Sequence, residues 1–224
     1  MDFDSLYYIM EIIGTIAFAS SGALVAIRKG MDFFGIIVLA IITAIGGGVF
    51  RDIVLGITPP TAFINTIYTT LSIATAIVII ILFSNKKKFL NKKFLVLYVK
   101  ITSVLDAIGL GIFTVGGVSM AMKMGFGKNQ FLLMFVGVVT GCGGGIVRDL
   151  CSGVIPIIFT KNTIYAMASL MGAASFVWLR PFIRQHYAFI VGILVVIVSR
   201  LLSMKYRWSL PNVNSDLIED TPRQ

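Results

Sequence analysis

The chain of 224 residues is 57% apolar and only 13% charged, with a mean hydropathy of +0.94. So little polar surface cannot coat a water-soluble globule, which leaves an integral membrane protein. The formal charge of +9 does not signal nucleic acid, because the basic residues stand in short connections between apolar runs, where they orient helices in a bilayer.

Read from the start, the chain offers apolar spans at 6–27, 33–57, 64–84, 95–122, 130–157, 162–180 and 187–204. Each approaches or exceeds the roughly 20 residues a helix needs to cross about 30 Å of hydrocarbon. The acidic opening, Met1 to Asp4, precedes the first span without a cleavage site, so that span is expected to stay. Residues 1–84 form a first three-helix unit, 85–93 a basic cytoplasmic linker that also suits anionic lipid, and 94–180 a second three-helix unit. A seventh helix follows over 181–205, then a polar tail over 206–224 with Trp208 as an interfacial anchor. With the N-terminus outside, ten basic residues (Arg28, Lys29, Lys86, Lys87, Lys88, Lys92, Lys93, Lys161, Lys205, Arg207) lie inside. Four (Lys123, Lys128, Arg180, Arg184) lie outside. The excess predicts an external N-terminus and a cytoplasmic C-terminus. Cys142 and Cys151 share one span and read as small packing residues, and His186 stands alone at a helix start. No catalytic residue, metal site or cofactor is therefore expected.

The second half repeats the first. Thr43 to Ser72 match Thr140 to Ser169 at a constant offset of 97 with 13 identities in 30 positions, including the glycine triplets, Arg51, Asp52, Gly56, Pro59 and Tyr68. Upstream, at an offset of 95, Glu11 faces Asp106, Gly14 faces Gly109, Phe18 faces Phe113 and Gly22 faces Gly117. Three spans per repeat force the second copy to enter the membrane from the opposite side. The expected fold is thus all-α, two inverted three-helix repeats plus one C-terminal helix, with a solute path at the interface of the repeats.

Gly46, Gly47 and Gly48 fall halfway through the second span, and Gly143, Gly144 and Gly145 halfway through the fifth. Each glycine costs a helix about 1 kcal/mol relative to alanine. Both helices are therefore expected to break there, with free carbonyls turned toward a wet path. The competing reading is that the glycines only permit close helix packing. Thr43 and Thr140 add uncharged oxygens along the path, and Asn65 and Asn162 cap the third and sixth spans. Arg51–Asp52 and Arg148–Asp149 lie a turn beyond each triplet, at a depth where charge must be paired. Adjacent helical side chains diverge by about 100°, so the arginines are expected to cross-pair, Arg51 with Asp149 and Arg148 with Asp52. The aspartates are then the ion contacts, and Glu11 and Asp106, early in the first and fourth spans, are expected to stand at opposite mouths.

The doubled motif, Gly-Gly-Gly-Val-Phe-Arg-Asp at 46–52 and Gly-Gly-Gly-Ile-Val-Arg-Asp at 143–149, each followed by Gly and Pro, resembles the prokaryotic branch of the TRIC family, the trimeric intracellular cation channels. The resemblance covers about 5–205 and implies a homotrimer of seven-helix protomers. It also implies a pore in each protomer, past the glycine kinks, that is permeable to potassium and, as a second monovalent cation, sodium. Animal members carry a Lys-Glu-Val stretch near the first kink that is associated with phosphoinositide. Gly46 to Val49 stand there in this chain, so lipid and calcium control are not implied. The same sequence domain is also labelled glycine transporter (UPF0126), which makes a secondary transporter of glycine or another small amino acid the alternative to a passive cation channel.

Overall fold

A computed structural model describes residues 2–83, 92–160, 164–206 and 208. The segment over 84–91, Asn162 and the tail beyond 208 lie outside the described residues. The described chain is helical: α1 (Phe3–Arg28), α2 (Phe33–Leu55), a single turn α3 (Thr61–Ile64), α4 (Ile67–Phe83), α5 (Lys92–Ala121), α6 (Gln130–Cys151), α7 (Tyr165–Leu179) and α8 (Gln185–Tyr206). A π-helical turn, Met122–Phe126, finishes α5, and a 3-10 turn, Ile157–Phe159, follows α6. Five helices, α1, α2, α5, α6 and α8, are long and apolar enough to cross a membrane, while α4 and α7 are apolar but shorter, at 17 and 15 residues.

Local chemistry sets the boundaries. Asp2 accepts from the Phe3 amide at 2.8 Å, Asp32 from Gly35 at 2.7 Å and Asn129 from Leu132 at 3.0 Å, so α1, α2 and α6 each begin on a side-chain cap. Gly56 closes α2 with φ 74°, and Gly153 stands at the matching place after α6 with φ 69°, a left-handed backbone that an L side chain rarely adopts. The sixth element ends at Cys151, six residues before the expected boundary at 157, because the chain turns there into the Pro156 loop and the 3-10 turn.

Four helices make the centre. α1 packs on α2, α5 on α6, α1 on α5 and α2 on α6. α4 lies against α1 and α2, α7 against α5 and α6, and α8 against α5 and α7. Small residues set the seams: Gly22 of α1 is filled by Thr43 of α2, and Gly117 of α5 by Thr140 of α6. Each threonine hydroxyl turns back onto its own helix at 2.6 Å, Thr43 to the Leu39 carbonyl and Thr140 to the Val136 carbonyl. Large apolar side chains cover the outside, among them Phe34, Ile81, Phe131 and Phe182. In water such a surface would drive aggregation; around a bundle of apolar helices it is a lipid-facing belt.

The expected helix breaks are absent. α2 runs as one helix through Gly46–Gly48 and α6 through Gly143–Gly145. The triplets instead let the two backbones cross in contact: a β-carbon on Gly47 would fall onto the Thr140 carbonyl, and one on Gly144 onto the Thr43 carbonyl. Close packing and intact backbone hydrogen bonds together outweigh the glycine penalty, since an amide or carbonyl left open in hydrocarbon costs several kcal/mol, against roughly 1 kcal/mol per glycine.

Candidate functional site

Two polar clusters form on matching positions of the two halves. In the first, Arg51 Nε donates to Asp52 Oδ1 at 2.8 Å, and Arg51 Nη1 lies 4.0 Å from Glu11 Oε1. Tyr68 donates its hydroxyl to Glu11 Oε2 at 2.7 Å. In the second, Arg148 Nε donates to Asp149 Oδ1 at 2.9 Å, and Arg148 Nη1 donates to Asp106 Oδ1 at 2.6 Å and to Ser21 Oγ at 2.8 Å. The Tyr165 hydroxyl faces Asp106 Oδ1 at 3.4 Å. Each aspartate of the motif uses its second oxygen on backbone: Asp52 Oδ2 accepts from the Thr61 amide at 2.7 Å and Asp149 Oδ2 from the Ile157 amide at 2.9 Å. The motif therefore holds the start of the one-turn helix after α2 and of the 3-10 turn after α6.

This geometry corrects three expectations. The arginines do not cross-pair between halves; each bends back on its own aspartate and reaches the acid of the first helix of its own half. The divergence of neighbouring Cβ atoms is overcome by the length and bend of the arginine side chain. Glu11 and Asp106 lie in cavities toward opposite ends of the bundle but are not free charges: Asp106 is 2% exposed and Glu11 is partly buried, each turned toward an arginine and a tyrosine. Thr43 and Thr140 are fully buried in the helix seams with their hydroxyls spent, so they offer no oxygen to a path.

A cavity adjoins each cluster. One, of about 230 Å³, is lined by Tyr7, Glu11, Thr15, Gly48, Arg51, Asp52 and Tyr68, with Phe113 and Met120. The other, of about 500 Å³, is lined by Arg28, Lys29, Thr102, Asp106, Arg148, Asp149 and Arg200, among others. The first meets the beginning of α1 and the end of α5, the second the end of α1 and the beginning of α5, so they lie toward opposite ends of the bundle. On α1, Phe18 stands between the two sets of lining residues, and Phe113, at the edge of the first cavity, packs against it with ring centroids 5.2 Å apart. Phe18 packs into the notches left by Gly109 and Gly144, beside the α2–α6 crossing. Of the triplet glycines, Gly48 lines the first of these two cavities; Gly46, Gly47, Gly143 and Gly144 form the crossing, and Gly145 lies under the Tyr165 hydroxyl.

Sequence reasoning passed over Tyr68, Tyr165, Ser21 and Arg200. The tyrosines are among the repeated identities, and Arg200 is a charge inside the apolar run 187–204, which in hydrocarbon marks a site. Among the described residues no group of three or more His, Cys, Asp or Glu side chains is arranged to hold a metal ion.

Comparison with known proteins gives a consistent result. The family model described as "Glycine transporter" matches residues 8–84 and 103–181. The UPF0126 inner membrane protein YadS of Escherichia coli (strain K12) is 32% identical over 213 residues, 94% of this chain and 98% of its own. A prokaryotic TRIC channel whose crystal structure was determined in 0.5 M KCl superposes with a TM-score of 0.82 at 33% identity, covering 93% of this chain and 100% of that one. The TRIC trimeric intracellular cation channel orthologue from Rhodobacter sphaeroides gives 0.80 at 32%, covering 90% and 98%. The fold is that of a membrane channel and not of an enzyme. With matches of this identity and coverage, the chain belongs to the prokaryotic TRIC family, the sequence group also described as glycine transporter and UPF0126.

Proposed function

We propose that the chain is a passive, cation-selective channel permeable to potassium and, as another monovalent cation, sodium, with one path inside each protomer. The observation that carries this reading is the pair of cavities toward opposite ends of α1, each lined by two carboxylates, with Phe18 between them on that helix and packed on Phe113 at the edge of the first. Glu11 and Asp52 supply negative charge to one cavity, Asp106 and Asp149 to the other, and the arginine beside each set limits that charge so that a cation is attracted without being trapped. The two phenylalanines close the path with an apolar constriction that excludes a hydrated ion until they part. Gly48 widens the first cavity, and the remaining triplet glycines keep α2 and α6 close enough to wall the path.

In this reading α1, α2, α4 and α5, α6, α7 are two inverted repeats, α8 is added outside them, and all seven cross the inner membrane with the N-terminus outside. The matching of Arg51, Asp52 and Tyr68, which line the first cavity, with Arg148 and Asp149, which line the second, and Tyr165, which faces Asp106 there, supports that arrangement. The protomer assembles as a homotrimer in lipid, as the name of the Rhodobacter sphaeroides relative says of that protein. A second reading, a secondary transporter of glycine or another small amino acid, is favoured by the description of the matching family model.

Planar-bilayer recording under a potassium chloride gradient, with glycine uptake into liposomes from the same preparation, separates the two. The channel reading expects discrete current steps reversing near the potassium potential. Electrically silent membranes with saturable glycine uptake would overturn it in favour of the carrier.

A further inference from the structure

Besides Ser21, which meets Arg148 and has no counterpart beside Arg51, the two polar clusters differ in one charged group. α8 has no counterpart in the first half, and it delivers Arg200 to the second cluster. Arg200 is 2% exposed; its guanidinium lies over the Tyr165 ring, 4.6 Å from the centroid, and Nη2 is 4.0 Å from Asp106 Oδ2. Its Nε and Nη1 make no hydrogen bond among the described residues, and Asp106 Oδ2 accepts none. A guanidinium held for structural reasons normally forms a fork of hydrogen bonds with a carboxylate, and buried donors without partners are costly. Among the described residues this one is held by charge and by the face of a ring.

A free carboxylate oxygen beside an aromatic face is a place for a partly dehydrated monovalent cation, and Arg200 occupies it. The imbalance extends to the whole cavity. The first is lined by two carboxylates against one arginine, the second by two carboxylates against four basic side chains, Arg28, Lys29, Arg148 and Arg200.

We propose that Arg200 is a tethered cation standing in the second half-site, and that it sets both the size and the direction dependence of the cation current. The proposal rests on the channel reading above. Cations gather in the first cavity and are repelled at the second, so current carried from the N-terminal face exceeds the reverse at equal driving force.

The test is single-channel recording of the full-length protein, oriented in planar bilayers in symmetrical potassium chloride, for wild type, R200Q, R200K and D106N. R200Q is expected to raise unitary conductance by about threefold or more and to reduce the asymmetry between the two directions. R200K, which keeps the charge, is expected to restore both toward wild type. D106N, which leaves Arg200 unopposed, is expected to lower conductance, so the two neutralisations act with opposite sign, as loss of packing would not. Unchanged conductance and asymmetry in R200Q, or R200K behaving like R200Q, would overturn the assignment. Should R200Q give no folded protein, R200M, which keeps the apolar stem and removes the charge, decides: a rise in conductance with reduced asymmetry supports the proposal, and no change or a fall overturns it. Wild-type membranes without potassium current refute the channel reading itself, whereas a wild-type current indifferent to position 200 refutes only the role of Arg200.

Discussion

At Gly47 a β-carbon would fall on the carbonyl oxygen of Thr140, and at Gly144 on that of Thr43, whereas at Gly48 it would meet only Arg51 Nη2 at 3.9 Å. The three positions therefore divide by consequence. G47A and G144A are each expected to force α2 and α6 apart and to destabilise the protein by about 1–3 kcal/mol. G48A is expected to be neutral or to add up to about 1 kcal/mol through helix propensity. Thermal unfolding of the purified variants in detergent checks the order, and equal losses at all three would show that the triplet is not a packing device. The arginines divide in the same way. Removing Arg148 leaves Asp106 with a tyrosine hydroxyl at 3.4 Å and a guanidinium at 4.0 Å, buried at 2% exposure. Removing Arg51 leaves Glu11 with a 2.7 Å bond from Tyr68, and Asp52 with the Thr61 amide, beside an open cavity. R148M is expected to cost about 3–5 kcal/mol and R51M clearly less. A larger loss for R51M in the same unfolding measurement would contradict the ordering.

Whether α2 and α6 are whole helices is a question about elements. Both run unbroken through their glycine triplets, so the amides of 46–50 and 143–147 are expected to exchange with deuterium as slowly as those in the middle of α1. Exchange measured by mass spectrometry in nanodiscs checks this; fast exchange confined to the two triplets would restore the broken-helix picture. The helices themselves were legible from hydropathy, and the matching Arg-Asp and Tyr positions from the offset of 97 between halves. What local reasoning missed was tertiary. A glycine triplet looks like a break until a second triplet is found lying across it, because only the partner backbone reveals that the absent side chains are filled space. Arg51 and Arg148 were readable as paired charges, yet their partners depended on how a long side chain bends back toward its neighbour and on which acid the packing of α1 or α5 brings near. Arg200 sits outside the repeat, so comparison of the halves could not find it.

The molecule as a whole has a charge polarity that its orientation turns into physiology. Asp4 and Lys123 form an exposed ion pair of 2.5 Å at one end of the bundle, and Arg28 and Lys29 close the other end, beside the cavity that holds Arg200. The excess of basic residues on the Lys29 side predicts that this end is cytoplasmic. In a C151S background, which removes the exposed native cysteine and leaves the buried Cys142, K123C and K128C are expected to react with a membrane-impermeant maleimide on intact cells. K29C is expected to react only after the membrane is permeabilised. The reverse pattern would invert the molecule, and labelling of all three in intact cells would remove Lys123 and Lys29 from opposite faces altogether. The result decides which compartment meets the less basic cavity. On the proposed channel reading, an N-terminus outside would have cations enter most readily from the external side and meet the guanidinium of Arg200 only after passing Phe18 and Phe113, so that the four basic groups of the second cavity would oppose the last step into the cell and not the first.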